Sequence, residues 1–175
     1  MTNAAVELVV AAAENDVIGR ANTMPWHLAG DMRHFRSLTL GRHVLMGRKT
    51  YQSIGKALPD RINWVLSRSP GFAPADCRVV RTLAEARAGA AGEFPLMVIG
   101  GAEIYQLCLP LTRRIHLTLV HTQIGDGDTF FAEWRNPKWR EAHREDHEAD
   151  AKNDHAYSFI TLDRVAADQT TGRLA

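Results

Sequence analysis

Eight residues near the start, Val6 to Ala13, are apolar except for Glu7. The run is too short to cross a bilayer and lacks the alternation of a half-exposed strand, so it reads as a strand covered on both faces, central in a sheet. Such a strand requires helices on both sides, and the rest of the chain supplies them. Asn15-Asp16 and Gly19 mark a turn and loop, and Pro25 forces Met24 towards an extended conformation before a helix that carries Leu28, Asp31, Met32, Phe35 and Leu38. After Gly41 come a strand at His43 to Gly47, a helix at Arg48 to Ile54, and a turn at Leu58-Pro59-Asp60. Ile62 to Ser67 and Arg78 to Val80 read as strands, and Leu83 to Ala90 as a helix capped by Thr82. Leu96 to Ile99 is a strand that stops at Gly100-Gly101 before another helix, bounded by Pro110.

Arg114 to Thr122 alternates as a strand, Gly125 to Asp128 is a flexible loop, and Trp139 to His147 and Tyr157 to Leu162 form a last antiparallel pair with Lys152-Asn153-Asp154 at its hairpin tip. Strand and helix in repeated succession predict an α/β fold, a mostly parallel twisted sheet with ligands at the carboxyl ends of its strands. The 175 residues suit one domain over residues 1–164 and a polar tail from Val165 over residues 165–175. A net charge of +1 argues against a general nucleic-acid or membrane-surface role, so an anionic ligand must be met by local basic clusters. The start has no signal-peptide pattern, which makes the expected location cytoplasmic. Cys77 and Cys108 are too few for a disulfide framework, and Cys108 between Leu107 and Leu109 reads as a buried small hydrophobe.

Asp31 is the residue out of place. Its spacing sets it on the apolar face of its helix, where a carboxylate loses hydration and needs a donor partner such as an amino-amidine ring edge. The plainer reading is an acid in the first helical turn, favoured by the backbone dipole; His34 stands where a capping box would want Glu or Gln. Arg48 and Lys49 open a helix, where cations are disfavoured unless a phosphate is bound; a solvated surface pair is the alternative. The Gly100-Gly101 pair lets a backbone pass close to a ligand, or is simply a tight turn, and it is not the Rossmann G-x-G-x-x-G. His143 and His147 have no third ligand near them, so no metal is expected.

Taken together, Val17-Ile18-Gly19, Met24-Pro25-Trp26, Asp31 with Phe35, Met46-Gly47-Arg48 with Thr50, Leu58-Pro59 with Arg61, Val98-Ile99-Gly100-Gly101 with Tyr105, and Gly127-Asp128-Thr129 resemble, in order and spacing, the bacterial dihydrofolate reductases. The resemblance spans Val6 to about Arg164. It implies a three-layer fold with an eight-stranded, mostly parallel mixed sheet and four helices, and NADPH-dependent reduction of 7,8-dihydrofolate to tetrahydrofolate. Dihydrofolate and antifolate-type small molecules are then the expected partners, and a monomer the expected state.

The resemblance also implies residue roles. Asp31 would bind the pterin and assist protonation of N5, with Met24 and Trp26 completing the catalytic set. Val9, Val10, Met32, Phe35, Ile54, Leu58 and Thr118 would wall the substrate, and Arg61 would grip its α-carboxylate. Arg48, Lys49 and Arg68 would surround the NADPH 2'-phosphate, and Gly100, Gly101, Ala102 and Ile104 would lie against the pyrophosphate, with a cis bond between the glycines. Ala11, Ile18, Gly19, Met24, Gly47, Thr50, Ser67, Ile99 and Tyr105 complete the cofactor contacts. Met24 and its loop would close over the nicotinamide, held by Asp128. Two rivals share such an architecture, a pyrimidine reductase of riboflavin synthesis and a catalytically silent pterin- or nucleotide-binding protein; the first would not need Asp31, Phe35 and Arg61 together.

Overall fold

A computed structural model describes residues 2–166, so most of the expected polar tail lies outside the described residues. Its strands are β1 (Val6–Ala13), β2 (Val17–Gly19), β3 (His43–Gly47), β4 (Ile62–Leu66), β5 (Arg78–Val80), β6 (Leu96–Gly100), β7 (Thr112–Val120), β8 (Thr129–Phe130), β9 (Trp139–His147) and β10 (Tyr157–Arg164). The helices are α1 (Ala29–Thr39), α2 (Arg48–Ile54), α3 (Leu83–Gly89) and α4 (Ala102–Cys108). Eight strands form one sheet in the order β5-β4-β3-β6-β1-β7-β10-β9, parallel except for the antiparallel β7, β10 and β9 ladders.

The unbroken apolarity of β1 is explained by its place between β6 and β7. Leu8, Val10 and Ala12 pack with Leu83 and Ala86 of α3 and Ile104 and Cys108 of α4, whereas Val9 turns to the other face, with Met46, Val65 and Met97 beneath Phe35 and Leu38 of α1. Burying these side chains from both layers is the main stabilising term of the fold. Glu7, the exception in the run, is 5 % exposed and fully engaged. The β1–β7 register slips between Val6 and Glu7, which pair with Thr112 and Arg114, so Arg113 is an extra, bulged residue. Arg113 donates to one Glu7 oxygen at 2.8 Å, and His116 Nε2 lies 2.7 Å from the other. Burial pushes the Glu7 carboxyl up, but hydrogen bonding to His116 and Arg113 outweighs it and leaves the group below its ordinary value.

Three local expectations are revised. Val17–Gly19, expected to lead into a loop marked by Gly19, pairs antiparallel with Thr129–Phe130 as a second small sheet. The seventh strand runs from Thr112 to Val120, not Arg114 to Thr122, because residues 112 to 114 pair with the start of β1. Lys152-Asn153-Asp154 is not a free hairpin tip: Asn153 is 4 % exposed and the segment is bonded to residues 27–30.

Candidate active site

Parallel pairing between β1 and β6 runs only from Val6↔Leu96 to Leu8↔Val98, while β1 stays paired with β7 as far as Ala13↔Val120. Beyond Val98 the β6 strand therefore parts from β1, opening a crevice at the carboxyl ends of the strands, where open α/β sheets bind ligands. The Tyr105 hydroxyl, on α4, bridges this gap by donating to the Val9 carbonyl at 2.7 Å. The β3–β6 register also slips, from Leu45↔Val98 to Met46↔Gly100, which bulges Ile99. Gly100 has φ +126° and is joined to Gly101 by a cis peptide bond.

These glycines bring the expected cofactor residues against one another. A Cβ on Gly47 would meet the Ile104 side chain at 2.9 Å, one on Gly100 the Tyr105 hydroxyl at 3.4 Å, and one on Gly101 Thr50 Oγ1 at 3.4 Å. Gly47, Thr50, Gly100, Gly101, Ile104 and Tyr105 thus make one wall, with Ala102 opening the helix above it.

On the other side of β1, α1 starts at Ala29 with Leu28 as a cap residue that offers no side-chain acceptor. Asp31 is in the first turn, as the plainer reading had it, yet its carboxyl is not solvated: the residue is 7 % exposed and accepts a 2.7 Å hydrogen bond from Thr118 Oγ1. Burial pushes its pKa above the usual carboxylate range, and the Thr118 hydroxyl offsets that in part. Burial first, and then the Asp31 charge, push the Tyr105 phenol up.

Phe35, Leu38 and Leu58 pack together on this face, and Ile54 is more open, at 39 % exposed. Met32, off the arc of α1 that meets the sheet, is 57 % exposed beside Asp31. One expected wall residue differs. Val10 alternates to the opposite face, in the core with α4, so its side chain is no part of the substrate wall.

Arg61 stands at the far end. Its Nε donates to Pro59 O at 2.8 Å and Nη1 to Thr39 Oγ1 at 3.1 Å, leaving three N–H hydrogens unspent. Partial burial, and then the neighbouring Arg36 charge, lower its pKa, so two cations crowd one place. Asn63, 5 % exposed, fixes the preceding turn by hydrogen bonds to both the Leu58 N–H and the Leu58 carbonyl, each 2.9 Å. Arg36, Thr39 and Asn63 were missed from sequence; only Asn63, a lone amide inside an apolar strand, carried a local signal.

The loop before α1 is held from three directions. Asp128 accepts from the Ala21 N–H at 2.8 Å, Ser53 of α2 donates to Asn22 O at 2.7 Å, and Asp154 accepts from the His27 N–H at 2.9 Å. Ala21 and Asn22 adopt left-handed φ values of 49° and 59°, a strain that these contacts hold in place. The Ala21 amide, then the Thr129 hydroxyl, keep the Asp128 carboxyl below its ordinary value. Gly19 packs on Thr129, Ile18 lies against the core, and Met24 is 47 % exposed at the loop's crown. Trp26 is 9 % exposed, with its indole N–H buried and without a partner.

At the other end of the glycine wall, the pairing of Gly47 with Leu66 sets Arg48-Lys49 and Ser67-Arg68 just past the carboxyl ends of neighbouring strands β3 and β4. None of these three cations has an ion-pair partner among the described residues. Arg81, also missed from sequence, fixes the segment after β4 by donating to the Ser67 and Ser69 carbonyls at 2.9 and 3.1 Å. Ala11 is half-buried on the Asp31 side of β1.

Residues 5–164 match a family model described as dihydrofolate reductase. The chain is 42 % identical over 159 residues to dihydrofolate reductase type 3 of Salmonella typhimurium, covering 91 % of this chain and 98 % of that protein. It is 32 % identical over 167 residues to dihydrofolate reductase of Bacillus subtilis strain 168, covering 95 % and 99 %. Among solved structures, dihydrofolate reductase from Enterococcus faecalis, complexed with NADP(H) and RAB-propyl, superposes with a TM-score of 0.83 at 28 % identity, covering 91 % of this chain and 96 % of the other.

Proposed function

This chain belongs to the dihydrofolate reductase family, and from that premise we propose how its own residues divide the work. The reaction is reduction of 7,8-dihydrofolate to 5,6,7,8-tetrahydrofolate, with NADPH supplying a hydride to C6 while N5 gains a proton. The observation that carries the reading is Asp31, a nearly dry carboxylate whose one partner is a hydroxyl.

A buried anion of this kind matches the two N–H donors of an amino-amidine edge and raises the proton affinity of the ring it binds. Asp31 therefore holds the pterin, and Thr118 Oγ1 fixes the carboxyl from the strand side. The Trp26 indole, a buried donor without a partner, serves an acceptor on that ring or a water beside it, and Met24 screens the reacting face. Val9, Phe35, Ile54 and Leu58 pack against the rings. Arg61 takes the α-carboxylate with its unspent N–H groups, and the adjacent Arg36 adds a second cation to the same end.

The cofactor fits the opposite wall. The space kept by Gly47, Gly100 and Gly101, which a Cβ would close, suits a pyrophosphate passing close to backbone, and Arg48, Lys49 and Arg68 suit a 2'-phosphate. Residues 1–164 act as the catalytic unit, as a monomer in the cytoplasm, in keeping with two cysteines that are both free thiols. The test is an NADPH absorbance assay with dihydrofolate, then with an added diaminopyrimidine antifolate. Wild-type turnover is inhibited, and the inhibitor loses most of its affinity when Asp31 is replaced by Asn; undiminished inhibition of that variant would refute the role of Asp31.

Cofactor choice gives a separate prediction. Each charge-assisted contact to a phosphate is worth roughly 1.5 to 3 kcal/mol. Arg48→Gln and Arg68→Gln should each lower kcat/KM for NADPH about 10- to 100-fold and leave kcat/KM for NADH unchanged, as measured by initial rates with both cofactors.

A further inference from the structure

The helix that carries Asp31 does not cap itself. Its own cap residue is Leu28, which has no side-chain acceptor, and the missing bonds come from the β9–β10 connection. Ala29 N donates to Lys152 O at 3.1 Å, Gly30 N to Asn153 Oδ1 at 2.9 Å, and His27 N to Asp154 Oδ2 at 2.9 Å. Leu28 and Asn153 also form a backbone bridge. Asn153 is itself pinned, its Nδ2 donating to Asp150 Oδ1 at 2.8 Å.

The fit is close. A Cβ on Gly30 would fall 1.9 Å from the Tyr157 hydroxyl and 3.3 Å from Asn153 Oδ1, so the connection rests directly on the backbone one residue before Asp31. The carboxylate of Asp31 is thus fixed from two sides, by Thr118 at its oxygen and by the Asn153 amide through the helix's first turn. An orphan N–H at a buried helix start frays the turn, and a fraying first turn swings the side chain of the next residue.

We propose that Asn153 is a positioning residue for dihydrofolate reduction, holding Asp31 in register with Thr118 by capping α1 from across the molecule. The inference rests on the reading of Asp31 as the pterin-binding acid. Truncating Asn153 should therefore damage the pterin half of the site and spare the cofactor half, which is built on α2, α4 and the ends of β3, β4 and β6.

A double-mutant cycle of Asn153→Ala with Asp31→Asn tests this. Asn153→Ala alone should lower kcat/KM for dihydrofolate about 10-fold, with NADPH Kd from fluorescence quenching within two-fold of wild type. In the Asp31→Asn background the same truncation should change kcat/KM less than two-fold, because the group it positions is gone. The double variant Asp150→Asn with Asn153→Asp, which retains an acceptor over Gly30 without placing two carboxylates together, should recover most of the loss.

Equal effects of Asn153→Ala in both backgrounds, or equal weakening of NADPH and dihydrofolate binding, would overturn the proposal, since general loosening of the fold predicts either. Should Asn153→Ala not accumulate as folded protein, the same cycle is run with Asn153→Ser, whose shorter hydroxyl falls short of Gly30. A fully active Asp31→Asn variant would sink the acid assignment itself, an outcome distinct from an impaired Asp31→Asn beside an unimpaired Asn153→Ala.

Discussion

Asp31→Asn should lose most of its turnover at pH 7 and yet melt at a higher temperature than the wild type. The first effect follows from the role of the anion. An Asn amide keeps the Thr118 hydrogen bond, since its oxygen can accept, but it cannot raise the proton affinity of N5. Losing that assistance is expected to cost about 10²- to 10⁴-fold in kcat at neutral pH. Activity should recover partly in acid, where dihydrofolate arrives already protonated, and NADPH Kd should not move. Turnover measured from pH 5 to 9 would check this, and a variant as fast as wild type at pH 7 would refute it.

The second effect follows from linkage. Burial raises the folded-state pKa of Asp31 above its ordinary 3.8, so the folded protein binds the proton more tightly than the unfolded chain. Stability is therefore lost as pH rises from the unfolded value through the raised one, and above that range the full cost of the buried charge remains. Asn removes the charge. Leaving a buried charged group under-bonded costs about 1 to 3 kcal/mol, and for a domain of this size each kcal/mol moves Tm by about 2 to 4 °C. The Tm gain of Asp31→Asn should grow as pH rises from the ordinary carboxyl value through the raised one and vanish well below 3.8; a gain that is the same at pH 3 and pH 8 would contradict the linkage.

Arg61→Leu should raise KM for dihydrofolate about 10²- to 10⁴-fold while kcat stays within about three-fold. The guanidinium grips a carboxylate remote from the reacting ring, so the contact is made equally in the ground and transition states, and its loss appears in KM. Two charge-assisted bonds of roughly 1.5 to 3 kcal/mol each set the size of the effect. Arg61→Lys should recover little, because an ammonium cannot present a planar fork while still donating to Pro59 and Thr39. A dihydropterin without the glutamate tail is the internal control: its kcat/KM should be the same for wild type and Arg61→Leu. If the truncated substrate suffers equally, Arg61 serves the fold of the turn and not the carboxylate.

Much of this site could be read locally, because each part has a short-range cause. Gly55, in a left-handed conformation at φ +86°, ends α2 where it was expected to, and Thr82 caps α3 by accepting from the Glu85 amide. Strand ends marked by glycine or a basic residue proved to lie along one edge of the sheet, and the approach of Gly100-Gly101 to Thr50 and Tyr105 follows from that topology. Val10 was misread because a strand buried on both faces has no polar alternation to say which side chain faces which layer. Asn153, Asp154 and Arg81 were beyond reach for a different reason: each acts on backbone atoms distant in sequence, and a side chain chosen to bond a remote peptide group leaves no periodic trace.

The clasp between Gly30 and Asn153 joins residues 123 positions apart. During synthesis, α1 and the strands around the glycine wall emerge well before the β9–β10 connection exists, and contacts so far apart in sequence are slow to close. The nucleotide half can therefore assemble on the ribosome while the acid's helix still waits for its clamp. The last-made part of the chain is thus what sets the acid's helix in its final register, and full activity waits on it.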